Sequence, residues 1–295
     1  MRKLLIVGYG DIGKRFAARY ASQFSFSAIC RTKIDDSSSR VRPVNWLNVD
    51  LDAPNTLRRL AGLSDDVIYL APPNPNGLSD KRVRNFLGSI SAGNRIPQRI
   101  VYMSTTGVYG DCSGDVVCEA RAVNPETERA LRRLDAEAQV RAWSKNMGCV
   151  SVVLRVPGIY ASDRLPLKRL LNGLPALIAS EDSYSNHIHA EDLVRIIFLA
   201  LTRGKNGRVY NCSDDSRIKV GEYFDLVADR FGLLQPRRLT RSEARRVLPD
   251  MSWSFLRESR LISNDRMKSE LRVSLEYPTV KDGVPHNLVR LSNND

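Results

Sequence analysis

Gly8, Gly10 and Gly13 stand at G-x-G-x-x-G spacing within LLIVGYGDIGKRF, residues 4–16. Glycines so spaced suit one chemistry, the cradling of phosphates. The first permits a tight turn, the second lets backbone approach a pyrophosphate, and the third lets a helix pack closely on a strand. The phosphates then meet free N–H groups at the positive end of the helix dipole, with Asp11 and Ile12 completing the cradle. The motif carries meaning only between a strand and a helix. Leu4 to Val7 reads as a strand buried on both faces, and Ile12, Phe16 and Tyr20 recur every four residues as a helical face. A dinucleotide is therefore the expected cofactor. At the end of the second strand, NAD-selective folds place an Asp or Glu about 20 residues past the glycines, to bond the ribose 2′-hydroxyl. This chain offers Cys30, Arg31, Thr32 and Lys33 instead. No carboxylate stands there to repel a 2′-phosphate, and Arg31 and Lys33 are placed to pair with one. NADP is favoured, with NAD as the alternative.

The elements that must hold these residues follow a repeating pattern. FSFSAICR reads as the second strand, VNWLNVDLD as a third ending at Asp50, and Pro54 to Leu60 as a short helix. Val67 to Leu70 is a fourth buried strand halted by Pro72 and Pro73, and Val83, Phe86, Leu87 and Ile90 give a helical face. Ile100 to Met103 is a fifth strand opening into a Ser/Thr/Gly loop, and Glu126 to Ser144 a helix with Glu128/Arg132 and Glu137/Arg141 pairs. CVSVVLRVPGIY is a sixth strand, GRVYNCS a short further one, and Val220 to Phe231 a helix. Strand and helix alternate at βαβ spacing. The predicted fold is α/β, a Rossmann-like doubly wound parallel sheet with a small C-terminal substrate lobe. Residues 1–160, rejoined by about 186–215, form the dinucleotide-binding domain. The lobe draws on 161–185 and 216–260, and 261–295 packs back.

Composition narrows the classes further. The chain has 295 residues, 42% hydrophobic and 26% charged, ordinary for a folded α/β protein. The longest apolar run, Leu193 to Leu201, contains Arg195 and is too short to span a bilayer. The apolar part of the N-terminus is too short for a signal peptide, so a cytoplasmic location is expected. Five cysteines without C-x-x-C spacing read as reduced thiols. His187 and His189 would share a strand face, but no metal is expected. The net charge of +12 is spread over every segment without a nucleic-acid-binding motif. Solvated surface is the reading, with no nucleic-acid partner expected and the oligomeric state open.

STTGVYGD, LRVPGIYA, NHIHAEDL, RVYNCSDD and LEYPTVKDGV, in that order, resemble an extended short-chain dehydrogenase/reductase of the nucleotide-sugar epimerase and dehydratase type. The resemblance runs over nearly the whole chain. The GYGDIG loop is one residue tighter than that family's G-x-x-G-x-x-G and is similar to an atypical branch that includes the YeeZ-like proteins. The resemblance implies that Gly8, Gly10 and Gly13 hold the pyrophosphate and that Asp50 lies near the adenine. Ala71 and Pro72 would touch the cofactor ribose, and Val156, Pro157 and Gly158 would back the nicotinamide. Thr105 falls on the catalytic Ser/Thr position, where its hydroxyl would bond the substrate oxygen being oxidised or reduced. A nucleotide-sugar or related carbonyl or hydroxyl compound is the implied small-molecule substrate.

One departure matters. The family uses Y-x-x-x-K on the helix after the fifth strand, Lys lying beside Tyr and lowering its pKa. Here those positions are Arg129 and Arg133. The spacing survives, but arginine stays protonated at any working pH and exchanges no proton. The pair reads either as surface charge on an amphipathic helix or as a cationic pair facing the nicotinamide pocket. Tyr109 and Tyr160 are the tyrosines open to recruitment as an acid. Asn186 and His189 would touch substrate phosphate or orient the following helix. Two functions stay open: an NAD(P)-dependent oxidoreductase or epimerase-like enzyme with an unconventional acid (Tyr109, Tyr160 or water held by Thr105), and a non-catalytic dinucleotide-binding sensor or scaffold.

Overall fold

The structure, a computed structural model, describes residues 1–31 and 44–286. Seven strands form its main sheet: β1 (Arg2–Val7), β2 (Phe24–Cys30), β3 (Asn45–Asn48), β4 (Asp66–Tyr69), β5 (Arg99–Thr105), β6 (Val150–Val156) and β7 (Arg208–Asn211). Their spatial order is β7-β6-β5-β4-β1-β2-β3, and every neighbouring pair is parallel. The chain winds outward from β1 to β3, returns to β4, and winds outward the other way. The switch point between β1 and β4 is where such sheets open a crevice at their C-terminal edge.

Parallel strands covered on both faces must be apolar on both. β1 obeys this: Leu4 and Ile6 enter one core, Leu5 and Val7 the other, and all four are fully buried. Helices α1 (Asp11–Arg19) and α4 (Ala190–Arg203) cover the first face through Phe16, Leu193 and Ile197. Helices α2 (Lys81–Ser91) and α3 (Glu128–Met147) cover the second through Phe86, Val140 and Trp143. Helix α3 starts at Thr127, whose hydroxyl accepts from Ala130 N–H at 3.2 Å, and stops at Gly148 in the left-handed region.

A charge anchors α3. Glu137 is 0% exposed, and its carboxylate accepts from the Ser104 hydroxyl at 2.6 Å, from Arg155 at 3.0 and 2.8 Å, and from Arg141 at 2.8 Å. The Glu137/Arg141 pair that reads as surface charge in the sequence is thus half of a buried network joining α3 to β5 and β6.

A smaller core lies beside the sheet. Helix α5 (Val220–Phe231) packs its Tyr223, Phe224 and Val227 against Tyr160, Leu177 and Leu256 there. A three-residue parallel ladder, Gly158–Tyr160 with His187–His189, carries the chain between the two. The C-terminal segment returns to both cores, Met267 and Leu271 to the first and Val280 and Val284 to the second. Asp192 tethers it by accepting from the N–H groups of Glu276 and Tyr277, each at 2.8 Å. Among the described residues no helix is long and apolar enough to cross a membrane, and no group of His, Cys, Asp or Glu is placed to hold a metal ion.

Two stability measurements follow from these buried charges. Arg155→Met strips Glu137 of its bidentate partner, and urea unfolding is expected to show a loss of about 3–5 kcal/mol. Asp214 is buried with one carboxylate oxygen unpaired; burial pushes its pKa up to about 7, against the opposing hydrogen bond from Ser216. The unfolded chain ionises near the ordinary value while the folded one holds its proton, so stability falls as pH rises from about 4 to about 7. Asp214→Asn abolishes that loss, and its stability advantage over the parent should grow across that interval to roughly 2–4 kcal/mol by pH 8.

Candidate functional site

The turn after β1 shows what each glycine does. Gly8 has φ +93°, and a Cβ there would lie 2.5 Å from the Ala71 backbone nitrogen, so β1 and the end of β4 meet only because residue 8 has no side chain. A Cβ at Gly13 would press within 3.3 Å of Gly8 O and Ile6 Cγ2, the tight contact of helix on strand. Gly10 differs: its φ is −86° and nothing lies within 4 Å of its missing Cβ. The chain itself does not require glycine at 10. Gly10 caps α1 with no side-chain cap, and the first-turn N–H groups at 11 to 13 have no intrahelical acceptor. An open approach onto free donors and the helix dipole fits a diphosphate. Asp11 at this turn is paired: its carboxylate accepts from Arg15 Nε at 2.9 Å and from Arg164 Nη1 at 2.8 Å. Partial burial works the other way, but these two cations hold its pKa below the usual range.

The remaining residues that the sequence assigns to a cofactor share the same sheet edge because all seven strands are parallel. Arg31 stands exposed just past β2. β3 ends at Asn48, so Asp50 lies in the loop beyond it, where its carboxylate accepts from Asp52 N–H at 3.0 Å. Ala71 is buried against Gly8 and Pro72 exposed, its carbonyl accepting from Arg82 at 3.2 Å. Thr105 pairs in register with Val156, which places it beside Pro157 and Gly158. Lys33 lies outside the described residues.

Next to this edge opens a cavity of about 1280 Å³, walled on one side by Thr105, Pro157, Gly158 and Asn186 and on the other by Val220 and Phe224. The Thr105 oxygen accepts from Gly107 N–H at 3.1 Å, which leaves its proton to donate. Three arginines reach the wall. Arg129 stacks over Phe255 at 5.4 Å and Arg169 over Phe224 at 4.7 Å, while Arg260 pairs with Glu258 at 2.8 Å. The Nε of Arg169 is buried without a partner, and burial lowers the guanidinium pKa from its ordinary value.

The structure separates other residues that the sequence groups with the site. Tyr109 is 1% exposed, donates to Asn211 Oδ1 at 2.8 Å under the Arg155 guanidinium, and does not reach the cavity. Tyr160 is equally buried and donates to the Thr279 carbonyl at 3.1 Å. Burial raises both phenol pKa values, and neither phenol is among the residues that line the cavity. His189 caps α4 by accepting from Glu191 N–H at 3.3 Å, packs its ring on Tyr277, and is not among the residues that line the cavity. Asn186 lines the cavity, yet its amide is spent on Arg260 O and Ile262 N, each at 2.9 Å. Arg133 is not among the cavity-lining residues and pairs with no carboxylate. Its guanidinium donates to Tyr102 Oη at 3.1 Å and to the carbonyls of Met103 at 2.9 Å and Ala71 at 3.3 Å. The two arginines therefore differ in their surroundings: Arg129 is exposed and lines the cavity, while Arg133 is half-buried and does not.

Sequence reasoning missed His187, Arg169 and Arg260. His187 lines the cavity beside Gly158, its Nε2 2.6 Å from the Ser185 hydroxyl, and burial pushes its pKa down to about 3, so it stays neutral. The two-residue spacing of His187 and His189 was the only local signal for it; the arginines carry none.

A parallel sheet wound 3-2-1-4-5-6-7, a glycine turn opening onto a helix N-terminus, and a cavity at the same edge define a Rossmann-like dinucleotide fold. A profile of the NAD dependent epimerase/dehydratase family matches residues 4–213, and the chain belongs to that family. It is 26% identical to protein YeeZ of Escherichia coli strain K12, over 94% of this chain and 97% of that one. Among solved structures it is similar to a functionally unknown conserved protein from Silicibacter pomeroyi, with a TM-score of 0.80, 25% identity and 96% of each chain covered. It also shares its fold with UDP-glucuronic acid 4-epimerase from Bacillus cereus, at a TM-score of 0.76, 17% identity and coverage of 95% and 96%.

The glycines separate structure from binding. Gly8→Ala forces a Cβ into backbone and is expected to lower the melting temperature sharply. Gly10→Ala should leave it unchanged while weakening NADPH binding by about tenfold or more, as followed by nucleotide fluorescence.

Proposed function

We propose that the chain binds NADP in preference to NAD across the C-terminal edge of its sheet, and acts there on an anionic carbonyl or hydroxyl compound of the nucleotide-sugar class. The observation that carries this is one juxtaposition. The open Gly10 turn, the donor-ready Thr105 hydroxyl and the arginine-bearing cavity meet on one edge. Gly8, Gly10, Asp11, Ile12 and Gly13 would hold the diphosphate, Arg31 a 2′-phosphate, and Val156, Pro157 and Gly158 the nicotinamide face. When bound, that group supplies or takes up a hydride. Thr105 donates a hydrogen bond to the reacting substrate oxygen, and Arg129 and Arg169 hold the anionic part of the substrate. With Tyr109 and Tyr160 sealed in the core, the proton on that oxygen exchanges with water held at the Thr105 hydroxyl. That the Bacillus cereus epimerase is complexed with UDP-glucuronic acid and NAD supports the substrate class.

A second reading, a dinucleotide-binding protein without turnover, is favoured by Arg133, which braces carbonyls at the place where the family keeps its proton-relaying lysine. Fluorescence titration with NADPH and NADH, followed by oxidation tests on nucleotide-sugar and carbonyl panels, separates the two. NADPH is expected to bind about tenfold tighter than NADH, and Arg31→Asp to remove the preference. Equal or tighter NADH binding overturns the NADP assignment, and tight binding without turnover on any panel member selects the second reading.

A further inference from the structure

The loop following Gly158–Tyr160 does not lead straight into the smaller core. It doubles back over the first turn of α1, turning at Ala161–Arg164 where Arg164 N–H donates to Ala161 O at 2.9 Å. Two ion pairs fasten it there. Asp163 is gripped by Arg15 Nη2 through both its oxygens at 2.7 Å, and Arg164 Nη1 reaches Asp11 Oδ2 at 2.8 Å.

The two cations at this turn are differently committed. Arg15 is the more heavily committed, with all three of its nitrogens on carboxylates: its Nε is on Asp11, its Nη1 on Glu191 at 2.9 Å and its Nη2 on Asp163. Arg164 pairs with one carboxylate among the described residues, through one nitrogen, on a side chain left 36% exposed. A guanidinium has five N–H donors in a planar fork, so most of this one stays available. Asp11 is the first residue of α1, so its contact with Arg164 holds that guanidinium at the first turn of the helix, whose N–H groups at residues 11 to 13 have no intrahelical acceptor.

Resting on the dinucleotide reading above, we propose that Arg164 is the side-chain cation of the diphosphate site, turning from Asp11 to the diphosphate when the dinucleotide binds. The helix N-terminus offers partial charge only, about half a unit. The adjoining Asp11 carboxylate opposes a diphosphate, so a full cation is required for net attraction. Arginine matches two phosphate oxygens at once, which a carboxylate already shared with Arg15 does not offer. The loop also runs on into the short helix Leu167–Leu171, which brings Arg169 to the cavity wall. Drawing Arg164 onto the diphosphate therefore fixes one end of the segment that presents Arg169.

The test is a fluorescence titration of NADPH against the full chain and its Arg164→Ala, Arg164→Lys and Asp11→Asn variants. Adenosine 2′-monophosphate, which lacks both phosphates of the diphosphate, is run as a competing probe. Arg164→Ala is expected to weaken NADPH about tenfold or more while leaving the monophosphate within about twofold, Arg164→Lys to restore part of the loss, and Asp11→Asn to tighten NADPH binding. Unchanged NADPH affinity in Arg164→Ala overturns the inference while the dinucleotide reading stands. Equal losses of NADPH and monophosphate overturn it too, since they mark a general loosening of the turn. A loss in Asp11→Asn as large as that in Arg164→Ala makes the ion pair a structural strap and also overturns it. If the parent chain binds neither NADPH nor NADH, the dinucleotide reading falls and the inference with it.

Discussion

One buried carboxylate sets the geometry of this protein. Glu137 lies beneath helix α3 with its charge met by Ser104, Arg155 and Arg141. A buried charge costs several kcal/mol unless it is paired and hydrogen-bonded, so the helix has one depth and one register at which it is tolerated. Ser104 precedes Thr105 on β5, and Arg155 precedes Val156 on β6. The network therefore clamps the two strand ends that carry the Thr105 hydroxyl and the Val156–Gly158 backbone, and it hangs α3 from both. Arg133 lies about one turn up that helix and Arg129 about two, and their positions follow from the clamp.

The fates of those arginines diverge for a physical reason. At the C-terminal edge of a parallel sheet, strand carbonyls run out of ladder partners just where the chain must turn away. Arg133 answers that need for Met103 and Ala71, on neighbouring strands. Ala71 is also the residue that Gly8 approaches, so the same contact steadies the glycine turn from behind. Arg129, four residues earlier, meets only Phe255 and the cavity. Equal charge at helical spacing has thus been divided between architecture and recognition.

What the sequence revealed were features with short-range causes. The glycine turn, the double-faced apolar strands and the span of α5 each follow from residues within a dozen positions, where glycine sterics and hydrophobic period act directly. What it concealed were partners distant along the chain. Glu137 and Arg141 have the spacing of an exposed helical pair, yet Glu137 is buried against Ser104 of β5 and Arg155 of β6. Tyr109 reads as a free phenol until its hydroxyl is seen to donate to Asn211, and Tyr160 until its hydroxyl is seen to donate to Thr279. The arginines of the cavity wall come from residues 129, 169 and 260, segments that no local pattern connects. The third strand, by contrast, is shorter than its apolar run: β3 closes at Asn48, and Asp50 serves a turn with Thr56 instead.

The placement of the cavity has a consequence for how the molecule comes apart. Its walls belong to the main sheet and to the smaller core, which are joined by a three-residue ladder, by the ion pairs of the 161–164 loop with α1, by the Ser259 carbonyl accepting from Cys112 and Gly114, and by the returning C-terminal segment. A compound that touches Thr105 on one wall and Phe224 on the other binds neither core once they part, so mass action makes it a cohesive element. Its presence would therefore draw the unfolding of the two cores together, and the sharpness of the thermal transition would report occupancy independently of any reaction.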